Sequence, residues 1–235
     1  MGNARLLVLG LIACTTAFAG AGFAAAHDIG GTDAAFVAAA RGGDPIPFAY
    51  LGAKHMVTGY DHLLFLVGVI FFLYRLRQIV LYVSLFSLGH SITLLAGVFF
   101  DLHANAFLVD AVIGLSVVYK AFDNLGGFRT LFGVQPDTRA AVLGFGLIHG
   151  LGLATKLQAM SLNPDGLLIN LAAFNVGVEL GQVLALSLIL AAMTLWRRTP
   201  LFGRTATAAN ILLMLAGFVL AGQQFAGYLL IGDPA

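Results

Sequence analysis

Residues 55–73 read His55-Met-Val-Thr-Gly-Tyr-Asp61-His62-Leu-Leu-Phe-Leu-Val-Gly-Val-Ile-Phe-Phe-Leu73, two imidazoles and a carboxylate leading straight into an apolar run. Extended back to residue 47, the stretch is long enough for a membrane-crossing helix, which needs about 20 mostly apolar residues. An ionisable side chain in hydrocarbon costs roughly 3 kcal/mol or more unless it faces a partner, an ion or water. The His/Asp/His run is therefore a functional signal as well as a topological one.

The rest of the chain repeats the apolar pattern. Further stretches at 78–100, 104–122, 140–161, 166–195 and 205–230 make six in all. With 235 residues, 60% hydrophobic, 10% charged and a mean hydropathy of +0.94, the sequence excludes a soluble domain and defines an all-α polytopic membrane protein. The formal net charge of +1, with no cluster of Lys and Arg, argues against a nucleic-acid binder. Cys14 is the only cysteine, so disulfides and thiolate chemistry are excluded for the rest of the chain. Any metal must be held by nitrogen and oxygen.

Residues 1–26 have the form of a cleavable signal peptide: Arg5 supplies the charge, Leu6 to Phe18 the apolar core, and Ala24-Ala25-Ala26 the small-residue cleavage site. An uncleaved first helix and a lipoprotein anchor at Leu11-Ile12-Ala13-Cys14 are the alternatives. Cleavage would expose the α-amine and imidazole of His27 as a chelating pair. Residues 27–45 then form a short periplasmic segment, and 46–235 the six-helix transmembrane domain. Arg75 and Arg77, then Lys120, Arg129 and Arg139, then Arg197, Arg198 and Arg204 fall on one side, which the positive-inside rule makes cytoplasmic. Arg41, Lys54 and Lys156 remain near outer helix ends. Both mature termini are thus expected on the periplasmic side of a bacterial inner membrane.

At 1.5 Å per residue, Asp61, His62, His90, Asp110, His149, Asn175 and Glu179 all fall in the outer half of their helices or near the middle. Costly groups at similar depth on separate helices point to one polar cavity. His55 and His62, seven residues apart, share a face but stand about 10 Å apart along an unbroken helix, too far to grip one ion. A break at Gly59 would change that; without it the pair marks an outer and a deeper position. Asn175, Glu179 and Gln182 form a polar stripe at i, i+4 and i+7. Small-residue ridges at Ala173/Gly177/Gly181 and Gly146/Gly150/Ala154 allow close helix approach, which is expected to bring His149 near Glu179.

Imidazole with carboxylate suits divalent first-row metals such as Ni, Co, Zn, Cu or Fe, while the absence of thiolate disfavours Cu(I). Three histidines plus a carboxylate or water also make a tetrahedral zinc site. The expected metal ligands are His55, Asp61, His62, His90, His149 and Glu179. Ser91, Asn175 and Gln182 are expected to hydrogen-bond to those ligands or between helices. Asp110 is read as capping or pairing near the outer surface, His103 as a solvated loop residue, and Lys54 and Lys156 as snorkelling outward.

Five motifs in order resemble the HupE/UreJ family of bacterial membrane proteins, especially its second branch: His55-x5-Asp61-His62, Leu88-Gly-His-Ser-Ile-Thr-Leu94, Ile113-Gly-Leu-Ser-Val-Val-Tyr119, Phe145-Gly-Leu-Ile-His-Gly-Leu-Gly152 and Phe174-Asn-Val-Gly-Val-Glu-Leu-Gly-Gln182. The resemblance implies nickel or cobalt movement across the inner membrane, serving a hydrogenase or urease maturation system. Its His-x5-Asp-His signature maps onto His55, Asp61 and His62, and its later His-Gly motif onto His149 and Gly150. The second histidine carried by that motif in the better-known branch is absent here, and Lys54 places a cation beside His55.

The leading expectation is a secondary permease or facilitator for a divalent transition-metal cation, Ni2+ or Co2+, a transporter in preference to an enzyme. No Gly-x4-Gly-Lys-Ser/Thr loop occurs, so the chain carries no nucleotide-driven motor of its own. The alternative is an intramembrane hydrolase holding Zn2+ on the same ligands. A metal-sensing or chaperone-like partner of a metalloenzyme is the third.

Overall fold

The computed structural model describes residues 42–158 and 164–232. The signal peptide, Cys14, His27 and Arg41 lie outside the described residues. The helices are α1 (Pro45–Thr58), α2 (Tyr60–Ile70), α3 (Leu76–Phe99), α4 (Ala106–Asn124), α5 (Gly127–Phe132), α6 (Thr138–Gln158), α7 (Leu167–Arg197) and α8 (Pro200–Ile231). Among the described residues each of the six apolar stretches is helical. No strand occurs among the described residues.

Local chemistry sets several boundaries. Pro45 and Pro200 begin α1 and α8, where a fixed φ is helical and a missing N–H is harmless. Asn105 caps α4 by accepting the Leu108 N–H at 3.1 Å. The short α5 is bracketed by Gly126 and Gly133, both left-handed with φ of 73° and 68°. Of these elements α3, α6, α7 and α8 are each long and apolar enough to cross a membrane. In α4 the apolar character is interrupted by Asp110, Lys120 and Asp123, and the first stretch is divided between α1 and α2.

That division falls at Gly59, whose φ of −71° and ψ of 101° are extended and open to any residue. What demands glycine there is space. A Cβ would lie 2.6 Å from His62 Nδ1 and 3.0 Å from Asp61 Oδ1.

Three helix pairs make up most of the packing, each fastened through glycines. In the parallel pair α3/α6, Gly146 meets the Phe86 carbonyl, Gly150 the His90 carbonyl, and the Thr93 hydroxyl donates to Leu147 O at 2.6 Å. In the parallel pair α1/α7, Gly52 meets the Phe174 carbonyl and Gly177 that of Ala49. The antiparallel pair α4/α8 joins Gly114 to Ala221 and Gly217 to Val118. Without hydrophobic pressure between helices in lipid, this close backbone contact supplies the dispersion energy of association. The expected meeting of the two ridges is corrected: the one on α6 faces α3, the one on α7 faces α1, and α6 and α7 scarcely touch.

Two apolar clusters fill the bundle. One contains Phe48, Leu51, Met56, Leu94, Leu153 and Phe174; the other contains Phe65, Ile70, Phe86, Val117, Val142 and Met193. On α3, His90 falls between Leu94 of the first and Phe86 of the second; on α6, His149 falls between Leu153 and Val142. The imidazoles thus form a polar layer between two dry ones.

At the far end of α2, Arg197 donates to the carbonyls of Phe71 at 2.7 Å, Leu73 at 3.0 Å and Ile70. These are carbonyls that a helix end leaves without intrahelical donors. Arg197→Met removes all three bonds at once, and an expected destabilisation of about 2–3 kcal/mol is readable as a lowered Tm in detergent. Lys120, expected in a cytoplasmic loop region, is instead buried in α4 with its Nζ 2.5 Å from Asp123 Oδ2. Beside it Asn124 Nδ2 donates to Gly68 O at 2.8 Å and Asn210 Oδ1 at 2.9 Å.

Candidate metal centre

The break at Gly59 turns the last turn of α1 back onto the first turn of α2, so the His55 and His62 rings lie 5.0 Å apart, edge to face. From the middle of α3, His90 joins them, its ring 6.1 Å from that of His62. One nitrogen from each of His55, His62 and His90 falls within 4.8 Å of the others. An ion with metal–nitrogen bonds of about 2.0–2.1 Å spans at most roughly 4.2 Å between two ligands, so nitrogens already within 4.8 Å of one another need only a small inward turn of the rings to hold one.

The donor atoms have no competing use. His55 Nε2, His62 Nε2 and both His90 nitrogens are buried and make no hydrogen bond among the described residues. Burial of an unsatisfied polar atom costs about 1–3 kcal/mol, and several together in one place are most simply relieved by a shared cation.

Asp61, expected as a ligand, lies against the histidine next to it and outside the close-set group of nitrogens. Its Oδ1 lies 2.8 Å from His62 Nδ1 and accepts the His62 backbone N–H at 2.8 Å. That contact favours the proton on Nδ1 and leaves Nε2 for the metal, the arrangement by which carboxylates orient metal-binding imidazoles. Asp61→Asn is expected to lower metal affinity about 10–100-fold with the fold intact, measurable by titrating the purified protein with Ni2+, Co2+ or Zn2+.

His149 lies beside the triad, its ring 5.0 Å from His62 and its Nε2 3.3 Å from the Ser116 hydroxyl. It is buried but outside the close-set ligand group. Ser116 Oγ donates to Ile113 O at 2.6 Å. Sequence reasoning missed this serine: it stands within the 113–119 motif, but no helical spacing linked it to a histidine. Phe86 and Phe65 wall the layer, with ring centroids 4.9 and 5.6 Å from His149.

Glu179 is placed elsewhere. It is exposed on α7 and is absent from the ligand group. Two residues along a helix are about 200° around it, so the contact of Gly177 and Gly181 with α1 turns Glu179 outward. Ser91, Asn175 and Gln182 tie α3 to α7: Ser91 Oγ to Asn175 Oδ1 at 3.2 Å, and Ser87 Oγ to Gln182 Oε1 at 2.6 Å. Lys156 pairs with Asp110 Oδ2 at 2.8 Å rather than standing alone at the interface. His103 is exposed in its loop, as expected.

These features define a multi-pass membrane protein with a buried cluster of histidines suited to a divalent metal. The family model described as HupE / UreJ protein, the second of that name, matches residues 31–231, and the chain belongs to the HupE/UreJ family. No curated protein and no solved structure matches it.

Proposed function

We propose that this protein is a secondary permease or facilitator for a divalent transition-metal cation, Ni2+ or Co2+, with His55, His62 and His90 as its binding station. The observation that carries this reading is the convergence of buried imidazole nitrogens that have no other partner. The implied setting is the bacterial inner membrane with six crossings, α1 and α2 together forming the first, and both mature termini periplasmic. Supporting that arrangement, Arg197 at the end of α7 meets the end of α2, and Asn210 near the start of α8 meets Asn124 at the end of α4, so the arginine-rich connections share one end of the bundle. A hydrogenase or urease maturation system is the proposed destination of the metal.

One observation favours a second reading. Three close imidazoles, one oriented by a carboxylate, are the ligand set of a catalytic zinc site with one coordination position left for water, and His149 with Ser116 lies next to it. A resident Zn2+ would there supply a nucleophile by acidifying water, giving an intramembrane hydrolase. Metal content after dialysis separates the two. Weak, exchangeable nickel or cobalt, with cellular accumulation that falls when His90 is replaced, supports the permease. Near-stoichiometric zinc that survives dialysis, with unchanged nickel and cobalt accumulation, overturns it.

A further inference from the structure

Away from the histidines, a cavity of about 370 Å³ opens where α2 stops, α3 starts and α7 finishes; its lining includes Tyr74, Ile79, Leu190, Thr194, Arg197 and Arg198. That size lies within the range of small-molecule sites. Its chemistry is unevenly balanced. Two guanidinium groups line it, and neither pairs with a carboxylate among the described residues. The hydrogen bonds of Arg197 go to neutral carbonyls, its Nε is buried without a partner, and its charge centre lies 4.7 Å from the Tyr74 ring centroid. Arginine does not deprotonate in proteins, so the half-buried Arg197 and the exposed Arg198 both keep a positive charge with no carboxylate partner at this concave site.

Thr194 adds a second observation. Thr155, Ser187 and Thr205 each donate their hydroxyl to the carbonyl one helical turn back. The Thr194 hydroxyl makes no hydrogen bond among the described residues, which leaves a donor at the cavity wall. Leu76, exposed at the start of α3, and the half-buried Leu190 supply an aliphatic surface beside it. The exposed Arg75 and Arg77 add positive charge at the same end.

We infer that this cavity binds the phosphate group of an anionic phospholipid, held by the Arg198 guanidinium and the Thr194 hydroxyl, with the adjoining acyl chain along Leu76 and Leu190. A phosphate diester carries the charge the site lacks, forms charge-assisted bonds to arginine, and brings hydrocarbon to the aliphatic wall. A basic pocket between helices at the anionic face of a bilayer is suited to such a headgroup. This site stands apart from the metal reading and does not depend on it.

The test is native mass spectrometry of the full chain after detergent exchange in the presence of phosphatidylglycerol, phosphatidylcholine or inorganic phosphate. Wild type is expected to retain one phosphatidylglycerol and no phosphatidylcholine, with millimolar phosphate unable to displace the lipid. The double variant Arg198→Gln, Thr194→Val is expected to lower phosphatidylglycerol retention by at least about tenfold, while helix content by circular dichroism and the thermal unfolding midpoint in detergent stay as in wild type and report an intact fold. Equal retention of phosphatidylcholine, or unchanged retention of phosphatidylglycerol by the double variant, overturns the assignment. Displacement by millimolar inorganic phosphate reassigns the site to a soluble phosphate and overturns the lipid.

Discussion

His62→Ala is expected to abolish useful metal binding, with a loss of at least about a hundredfold in affinity for Ni2+, Co2+ or Zn2+. His62 is the hub of the layer: its ring touches those of His55 and His149 at 5.0 Å and approaches His90 at 6.1 Å, and it is the imidazole that Asp61 orients. Losing an outer partner of a ligand costs 10–100-fold, and losing the ligand itself removes more. Alanine here deletes a buried polar ring without burying a new charge, so helix content is expected to persist by circular dichroism. Calorimetric titration of the purified variant decides the matter, with His103→Ala, in an exposed loop, as the unaffected control. Wild-type affinity in His62→Ala would remove the triad from consideration.

Gly150→Ala is expected to destabilise the protein by about 3 kcal/mol and to disturb the metal centre as well. A Cβ at this position would run into the carbonyl oxygen of His90, with the His90 carbonyl carbon at 2.8 Å. The obstacle is backbone, so relief requires α3 and α6 to separate, carrying His90 with them and stretching the Thr93–Leu147 bond. The same change at Gly144, six residues earlier on α6 with nothing within 4 Å of a Cβ, is expected to cost nothing. Thermal unfolding in detergent measures the first effect and metal titration the second. A Gly150→Ala protein as stable as Gly144→Ala would show that α3 and α6 are not in backbone contact.

Much of the fold was legible because lipid simplifies the rules. Backbone polar groups must be satisfied within each crossing segment, so apolar runs of the right length specify helices, and among the described residues each expected stretch is helical, the first as two helices. Lys120 was misplaced for a definite reason. Charge near a helix end looks the same in sequence whether it snorkels or turns inward, and only the neighbouring Asp123, one turn away on α4, makes burial tolerable.

Part of the candidate site was legible too. His55, His62, His90 and His149 were recognisable as expensive residues at similar depth, and they do share one layer. The role of Asp61 and the position of Glu179 were not recognisable. Adjacency in sequence gave no hint that the Asp61 carboxylate folds back onto the imidazole of the next residue. Nor does the i, i+4, i+7 stripe through Asn175, Glu179 and Gln182 say which part of it faces a neighbour, since α7 is apolar on nearly every other face.

The sequence by itself determined the class of the protein, the positions of its helices, the family and the depth its histidines share, because burial cost and helix length are properties of single segments. Only the tertiary structure decided which segments meet. The glycines of α6 chose α3 and those of α7 chose α1, drawing His90 inward and turning Glu179 out. Gly59 is the point where the two levels join. Its backbone angles suit any residue, yet the fold brings the His62 imidazole and Asp61 carboxylate into the space a side chain would fill, and so His55 and His62 stand on one site instead of two.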